Sequence, residues 1–147
     1  MSYFSERLNP APTRQAAIPI ARQAKRNKAF QNTTFIGLAL DGTTAGRSQQ
    51  KQCDLCRPWR RAGNEQIAGS RHHLVMLSVV GTGLSLPLDV EPYGPGDSEY
   101  TAGRRLLRRT IPQLGTRFAD YLVVDSEYRP LPFCTLATIS ACPWWHA

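Results

Sequence analysis

Two aspartates end apolar runs in this chain. Asp41 follows Phe35-Ile36-Gly37-Leu38-Ala39-Leu40 and opens Asp41-Gly42-Thr43-Thr44. Asp125 follows Tyr121-Leu122-Val123-Val124. A carboxylate at the tip of a buried strand is held rigidly at a sheet edge. Two on neighbouring strands would offer hard oxygen ligands to a divalent cation, the arrangement used to cut phosphodiester bonds. Taken alone, each aspartate also suits an ordinary strand-end turn.

A second constellation is sulfur-based. Cys53-Asp54-Leu55-Cys56 precedes Arg71-His72-His73. Two thiolates and an imidazole would supply three corners of a tetrahedral zinc site. Adjacent histidines on a strand point to opposite faces, so only one of the pair can join, and His72 is the candidate. A fourth ligand is then missing, so free thiols in an Arg-rich loop are the favoured reading and zinc the lesser one.

The third group is cationic. Eighteen Lys and Arg against 11 Asp and Glu give a formal charge of +7 and a pI near 9.7. Fifteen of these cations are Arg, whose planar fork fits phosphate. A polyanionic partner such as DNA is the expectation. Candidate contacts are Lys25, Arg26 and Lys28 near the N-terminus, Arg57, Arg60 and Arg61 around Trp59, and Arg104, Arg105 and Arg108 further on. Each cluster can equally be a solvated face, and Trp59 a packed ring.

The elements that must position these groups are legible in part. At 147 residues the chain suits one domain. No apolar run approaches the roughly 18 residues of a membrane span, and no signal-like stretch opens the chain, so a cytoplasmic location without membrane contact is expected. Four cysteines in such a setting read as reduced thiols. Residues 1–34 carry six cations and one acid and read as a basic arm. Pro10, Pro12 and Pro19 argue against a long helix there, leaving a short one from about Ala21 to Phe30.

Residues 35–41 read as a buried strand, and 42–71, which lack periodicity, as a long loop. His73 to Gly81 is a strong strand, and Leu84 to Val90 alternate as its hairpin partner. Pro87 suggests an edge or a bulge. A helix begins at Asp97 or Ser98, with Asp97 and Glu99 in its first turn. Tyr100, Gly103, Leu107, Ile111 and Leu114 share one of its faces, and Pro112 and Gly115 end it. Residues 120–125 form the last strand. A right-handed crossover through that helix would lay the last strand parallel to the first, bringing Asp41 and Asp125 to one edge.

With that order in view, several stretches resemble insertion-sequence DDE transposases. They are Asn27-Lys28-Ala29-Phe30, the run from Phe35 to Thr43, the run from Arg71 to Gly81, Glu91-Pro92-Tyr93-Gly94-Pro95-Gly96-Asp97-Ser98-Glu99, and the run from Tyr121 to Tyr128. The similarity extends from about residue 3 to about residue 133. It implies an α/β, partial ribonuclease-H-like fold: a mixed sheet of strand, β-hairpin, helix and strand behind a basic N-terminal arm. It implies that Asp41 and Asp125 are the first two catalytic carboxylates and that a glutamate far downstream is the third. It also implies Mg²⁺ or Mn²⁺ as cofactor, two ions together activating water or a 3′-hydroxyl and stabilising the leaving oxygen. The partners would be the transposon ends and target DNA, held by an oligomer or a monomer, and the reaction strand cleavage and strand transfer.

The chain departs from that pattern at its end. No acid occurs after Glu127, which lies two residues beyond Asp125 and would point elsewhere. Residues 134–147 follow no helical or strand logic. Read one base earlier after Phe133, plausible codons recover an amphipathic pattern, so a frameshifted tail is expected. The organisation expected is therefore a basic arm (1–34), a partial catalytic domain (35–133) and an aberrant tail (134–147). The function expected is that of a truncated transposase with residual DNA binding and little strand transfer. The rivals are a non-enzymatic nucleic-acid-binding module with a Cys/His zinc site, and a decayed product without function.

Overall fold

The computed structural model describes residues 11–30, 35–50, 53–63, 66–81, 83, 85–115 and 117–125. The chain is α/β, with a mixed five-stranded sheet and two helices. Helix α1 spans Ala11–Arg26 and is followed by β1 (Gly37–Ser48), β2 (Arg57–Arg60), β3 (Ile67–Val80) and β4 (Leu86–Tyr93). Helix α2 (Glu99–Leu114) and β5 (Tyr121–Val124) complete the order. The aberrant tail expected at residues 134–147 lies outside the described residues.

Strand β3 organises the sheet. One of its edges pairs antiparallel with β1 along nearly the whole length, from Gly37↔Val80 to Ser48↔Ser70. Its other edge is shared end to end. β2 pairs with Ile67 to Arg71, and β4 pairs with His73 to Val79. β5 lies on the far side of β1 and runs parallel to it, as the crossover argument expects. Pro87 sits in β4, where Leu77 faces Asp89 but Ser78 faces Pro87. Leu88 is thus the extra residue of a bulge on a strand that, among the described residues, pairs on one side, which suits a residue lacking an N–H.

The core lies between the helices and one face of the sheet. Leu38, Leu40, Val75, Leu77, Val79 and Leu88 alternate inward and meet Ala102, Leu106, Leu107, Ile111 and Leu114 of α2. Ser98 caps α2, its hydroxyl accepting from the Thr101 N–H at 3.1 Å. Pro112 sits inside the last turn, and the helix ends at Gly115, whose positive φ of 95° an L side chain resists. Glu91 receives ion pairs from Arg105 (2.9 Å) and Arg109 (2.5 Å), tying α2 to β4.

Two expectations need correction. Residues 42–71 are not a loop. They hold the outer half of β1, all of β2 and the start of β3. The apolar pattern stops at Leu40, but backbone pairing continues as a polar ribbon, so hydropathy gave no sign of it. Nor do the prolines break the N-terminal helix. Pro12 occupies the first turn, where its missing N–H has no partner to lose. Pro19 forfeits one bond inside the helix, offset by burial of Ala17, Ile18 and Ala21 against the core. Helix α1 is packed rather than solvated: Arg14 reaches the buried Asp89 at 3.2 Å, and beyond the helix end Phe30 meets Phe118 edge to face at 6.4 Å. Among the described residues no helix is long and apolar enough to cross a membrane.

Candidate metal centre

The acidic site is built by strand register. Ile36 and Asp120 clip the starts of β1 and β5 together. The Ile36 N–H donates to the Asp120 carboxylate at 2.8 Å, and the Asp120 N–H to the Ile36 carbonyl at 2.7 Å. From there the parallel pair runs Gly37↔Tyr121 to Leu40↔Val124. The next residue on each strand is Asp41 and Asp125. β5 ends there while β1 continues, so the two carboxylates stand side by side where the parallel pairing stops.

A third carboxylate joins them. Oxygens of Asp41, Glu99 and Asp125 all lie within 4.8 Å of one another. Glu99 opens α2, where sequence alone explains it by the helix dipole. Its side chain is instead turned onto β1. A Cβ built at Gly42 would fall on the Glu99 carboxylate, so only glycine lets that carboxylate rest beside Asp41. The Tyr93 hydroxyl donates to Glu99 Oε2 at 3.2 Å and fixes its orientation. The signals for Glu99 in the sequence were Asp41-Gly42 and the Tyr93 to Glu99 spacing, neither of which reveals a contact until the hairpin is folded.

The donor set fits a hard divalent cation. Three carboxylates at a sheet edge supply oxygen ligands and negative charge, and they repel one another unless a cation lies between them. Asp41 and Asp125 are exposed, so the site opens to solvent and could meet a large substrate.

The sulfur group also assembles. Cys53 Sγ and Cys56 Sγ lie 3.7 Å apart, and His72 Nε2 lies 3.1 Å from the first and 3.2 Å from the second. His73 turns to the other face and tilts on the Tyr93 ring at 5.6 Å. Burial and the positive charge of Arg71 and Arg57 hold its pKa below the ordinary value.

The basic candidates divide. Arg57 is spent inside the fold: it donates to the carbonyls of Gly94 (2.7 Å) and Asp97 and lies over Tyr93 at 4.9 Å. Arg105 is held by Glu91 and by Asp97 at 2.6 Å, contacts that raise its pKa and lower that of Asp97. Lys25 donates to the carbonyls of Arg117 and Phe118. Arg104 lies over Tyr100 at 5.9 Å. Arg26, Lys28, Arg60, Arg61 and Arg108 are exposed. Arg61 joins Arg47 and Trp59 around a groove of about 410 Å³ at the far end of the β1–β3 ribbon. Arg47, over Trp59 at 5.7 Å, was missed because it lies in the segment read as loop.

Comparison with protein-family models, with curated proteins and with solved structures gives no match.

Proposed function

We propose that this chain is a DNA-binding polypeptide of the DDE-transposase type, ribonuclease-H-like in fold, that holds Mg²⁺ or Mn²⁺ at Asp41, Glu99 and Asp125. The observation that carries the reading is the convergence of these three carboxylates within 4.8 Å at the edge shared by β1 and β5. The resembling motifs and the strand, hairpin, helix, strand order support it. A cation bound there would polarise a phosphoryl oxygen and acidify a bound water.

The chain's own residues do the positioning. Asp41 and Asp125 are fixed by the parallel register, Glu99 by Tyr93 and by the absence of a side chain at Gly42. The exposed Arg60, Arg61 and Arg47 offer phosphate contacts, and Trp59 a stacking surface. Metal and DNA binding are the activities that these positions support.

Titration with Mn²⁺ by calorimetry, beside nicking of supercoiled DNA, tests the proposal. Saturable binding lost in Asp41→Asn supports it. Binding unchanged in Asp41→Asn and in Asp125→Asn rejects it. DNA affinity should fall steeply with salt, and a flat response would remove phosphate contact as the driver.

A further inference from the structure

We infer that Cys53, Cys56 and His72 form a zinc site that clasps β2 and the turn before it onto the edge of β3. The inference stands apart from the carboxylate reading and shares no residue with it.

The geometry comes first. A tetrahedral zinc with bonds of about 2.3 Å to sulfur and ~2.0 Å to nitrogen sets two sulfurs ~3.8 Å apart and sulfur and nitrogen ~3.5 Å apart. The observed 3.7 Å between sulfurs matches, and the 3.1 and 3.2 Å to His72 Nε2 need only a small opening. One imidazole nitrogen offers a single proton or a single lone pair, so it cannot serve two sulfurs fully at once. A cation at the centre of the triangle satisfies all three atoms. Two thiolates and an imidazole are a soft donor set that selects zinc over magnesium.

The surroundings show a prepared site. The Cys56 N–H donates to the Cys53 carbonyl at 3.1 Å, closing the turn that aims both sulfurs the same way. Cys56 is buried. Gly94, just beyond β4, runs against this turn: a Cβ there would meet Leu55 Cα at 3.1 Å and the Asp54 carbonyl oxygen at 3.2 Å. Arg57, next in sequence to Cys56, locks onto the Gly94 and Asp97 carbonyls. Such outer contacts orient ligands and raise metal affinity. His72 comes from β3 at the point where the β2 pairing gives way to the β4 pairing.

The position gives the clasp its purpose. β2 is four residues long and among the described residues pairs with β3 alone, with two of its own residues exposed. Apolar burial alone holds it weakly. A metal bridging the turn before β2 to mid-β3 fixes the strand that carries Trp59. The fourth coordination position is left to water or an added ligand; among the described residues the group comprises these three.

Metal analysis and cobalt substitution test the site. Protein purified under reducing conditions should carry one zinc per chain. Metal-free protein titrated with Co²⁺ should show a thiolate-to-cobalt charge-transfer band and intense tetrahedral visible bands. Cys53→Ser/Cys56→Ser should lose both, while Asp41→Asn keeps both and Cys53→Ser/Cys56→Ser keeps Mn²⁺ binding. The two sites thus fail separately. Zinc retained stoichiometrically by the double variant, or Co²⁺ uptake by the wild-type chain without a thiolate band, overturns the inference. The wild-type cobalt spectrum decides even if the variant folds poorly.

Discussion

From Leu74 to Val80, β3 lies between β1 and β4 and drives Val75, Leu77 and Val79 fully out of solvent beneath α2. From Ile67 to Arg71 the same strand pairs with β2 and meets the end of β1 at Ser70 and Arg71, and its Ile67 is 62% exposed. One end is held by apolar burial, the other by backbone pairing and, as inferred above, by a metal. The acidic site sits where the first regime stops, at Asp41 directly after Leu40. The sulfur group sits where the second gives way to the first, at His72. Chemistry in this fold gathers at the border where the core can hold a backbone rigid but no longer covers it.

Substitution in the two ends should separate them most clearly. Leu77→Ala removes a fully buried side chain with neighbours on both sides and should destabilise by about 3 kcal/mol. Ile67→Ala should cost no more than about 0.5 kcal/mol. Denaturant midpoints at constant slope measure both. Hydrogen exchange extends the contrast: zinc removal should expose the amides of 67–72 while leaving 75–79 protected. Uniform loss of protection would mean that the ribbon and core unfold as one unit.

Within the core, Asp89 supplies the next largest effect. It is fully buried, accepts from Arg14 (3.2 Å), Arg109 (2.9 Å) and the Thr110 hydroxyl (3.0 Å), and so ties α1, α2 and β4 together. Asp89→Ala strands those donors and should cost about 2 kcal/mol, less than a fully enclosed pair because both arginines can turn toward water. A change below half that size would show that apolar contacts alone dock α1.

At the border, Gly42→Ala should act on binding rather than on folding. The new methyl displaces the Glu99 carboxylate from beside Asp41. Mn²⁺ affinity should drop about tenfold, near 1.4 kcal/mol, with little change in thermal midpoint. Unaltered affinity would remove Glu99 from the ligand set and leave the two aspartates alone.

These contrasts also explain what could be read beforehand. Wherever burial sets the structure, hydropathy exposed it: the strand at 37–40, β3 from His73, the α2 face at Gly103, Leu107, Ile111 and Leu114, and the meeting of Asp41 with Asp125. Wherever pairing or contact across elements sets it, the residues were silent. The ribbon of β1 and β3 carries no apolar period. Helix α1 keeps Pro19 because tertiary packing outweighs a lost hydrogen bond. Glu99 reads as a helix-start acid until folding shows that Gly42 lies under it. Strand alternation said that only one of His72 and His73 could join the sulfurs, but the approach of His72 to both depends on the turn before β2.

The smallest expected effect lies on the surface that joins these regions. Asp97 accepts from Arg105 at 2.6 Å, its backbone carbonyl also receives Arg57, and its pKa is lowered chiefly by the Arg105 hydrogen bond. A carboxylate whose folded pKa is depressed adds stability that is complete above its unfolded value, about 4. That stability fades as pH falls through the folded value. The Arg105 side chain is 42% exposed, so solvent screens the pair and about 0.5 kcal/mol is expected. Asp97→Asn should therefore lower stability slightly at pH 7, approach wild type as pH falls through the depressed folded value, and lose its effect in molar salt. A deficit that persisted in acid or salt would assign Asp97 to the geometry of the α2 start, and through Glu99 to the acidic site itself.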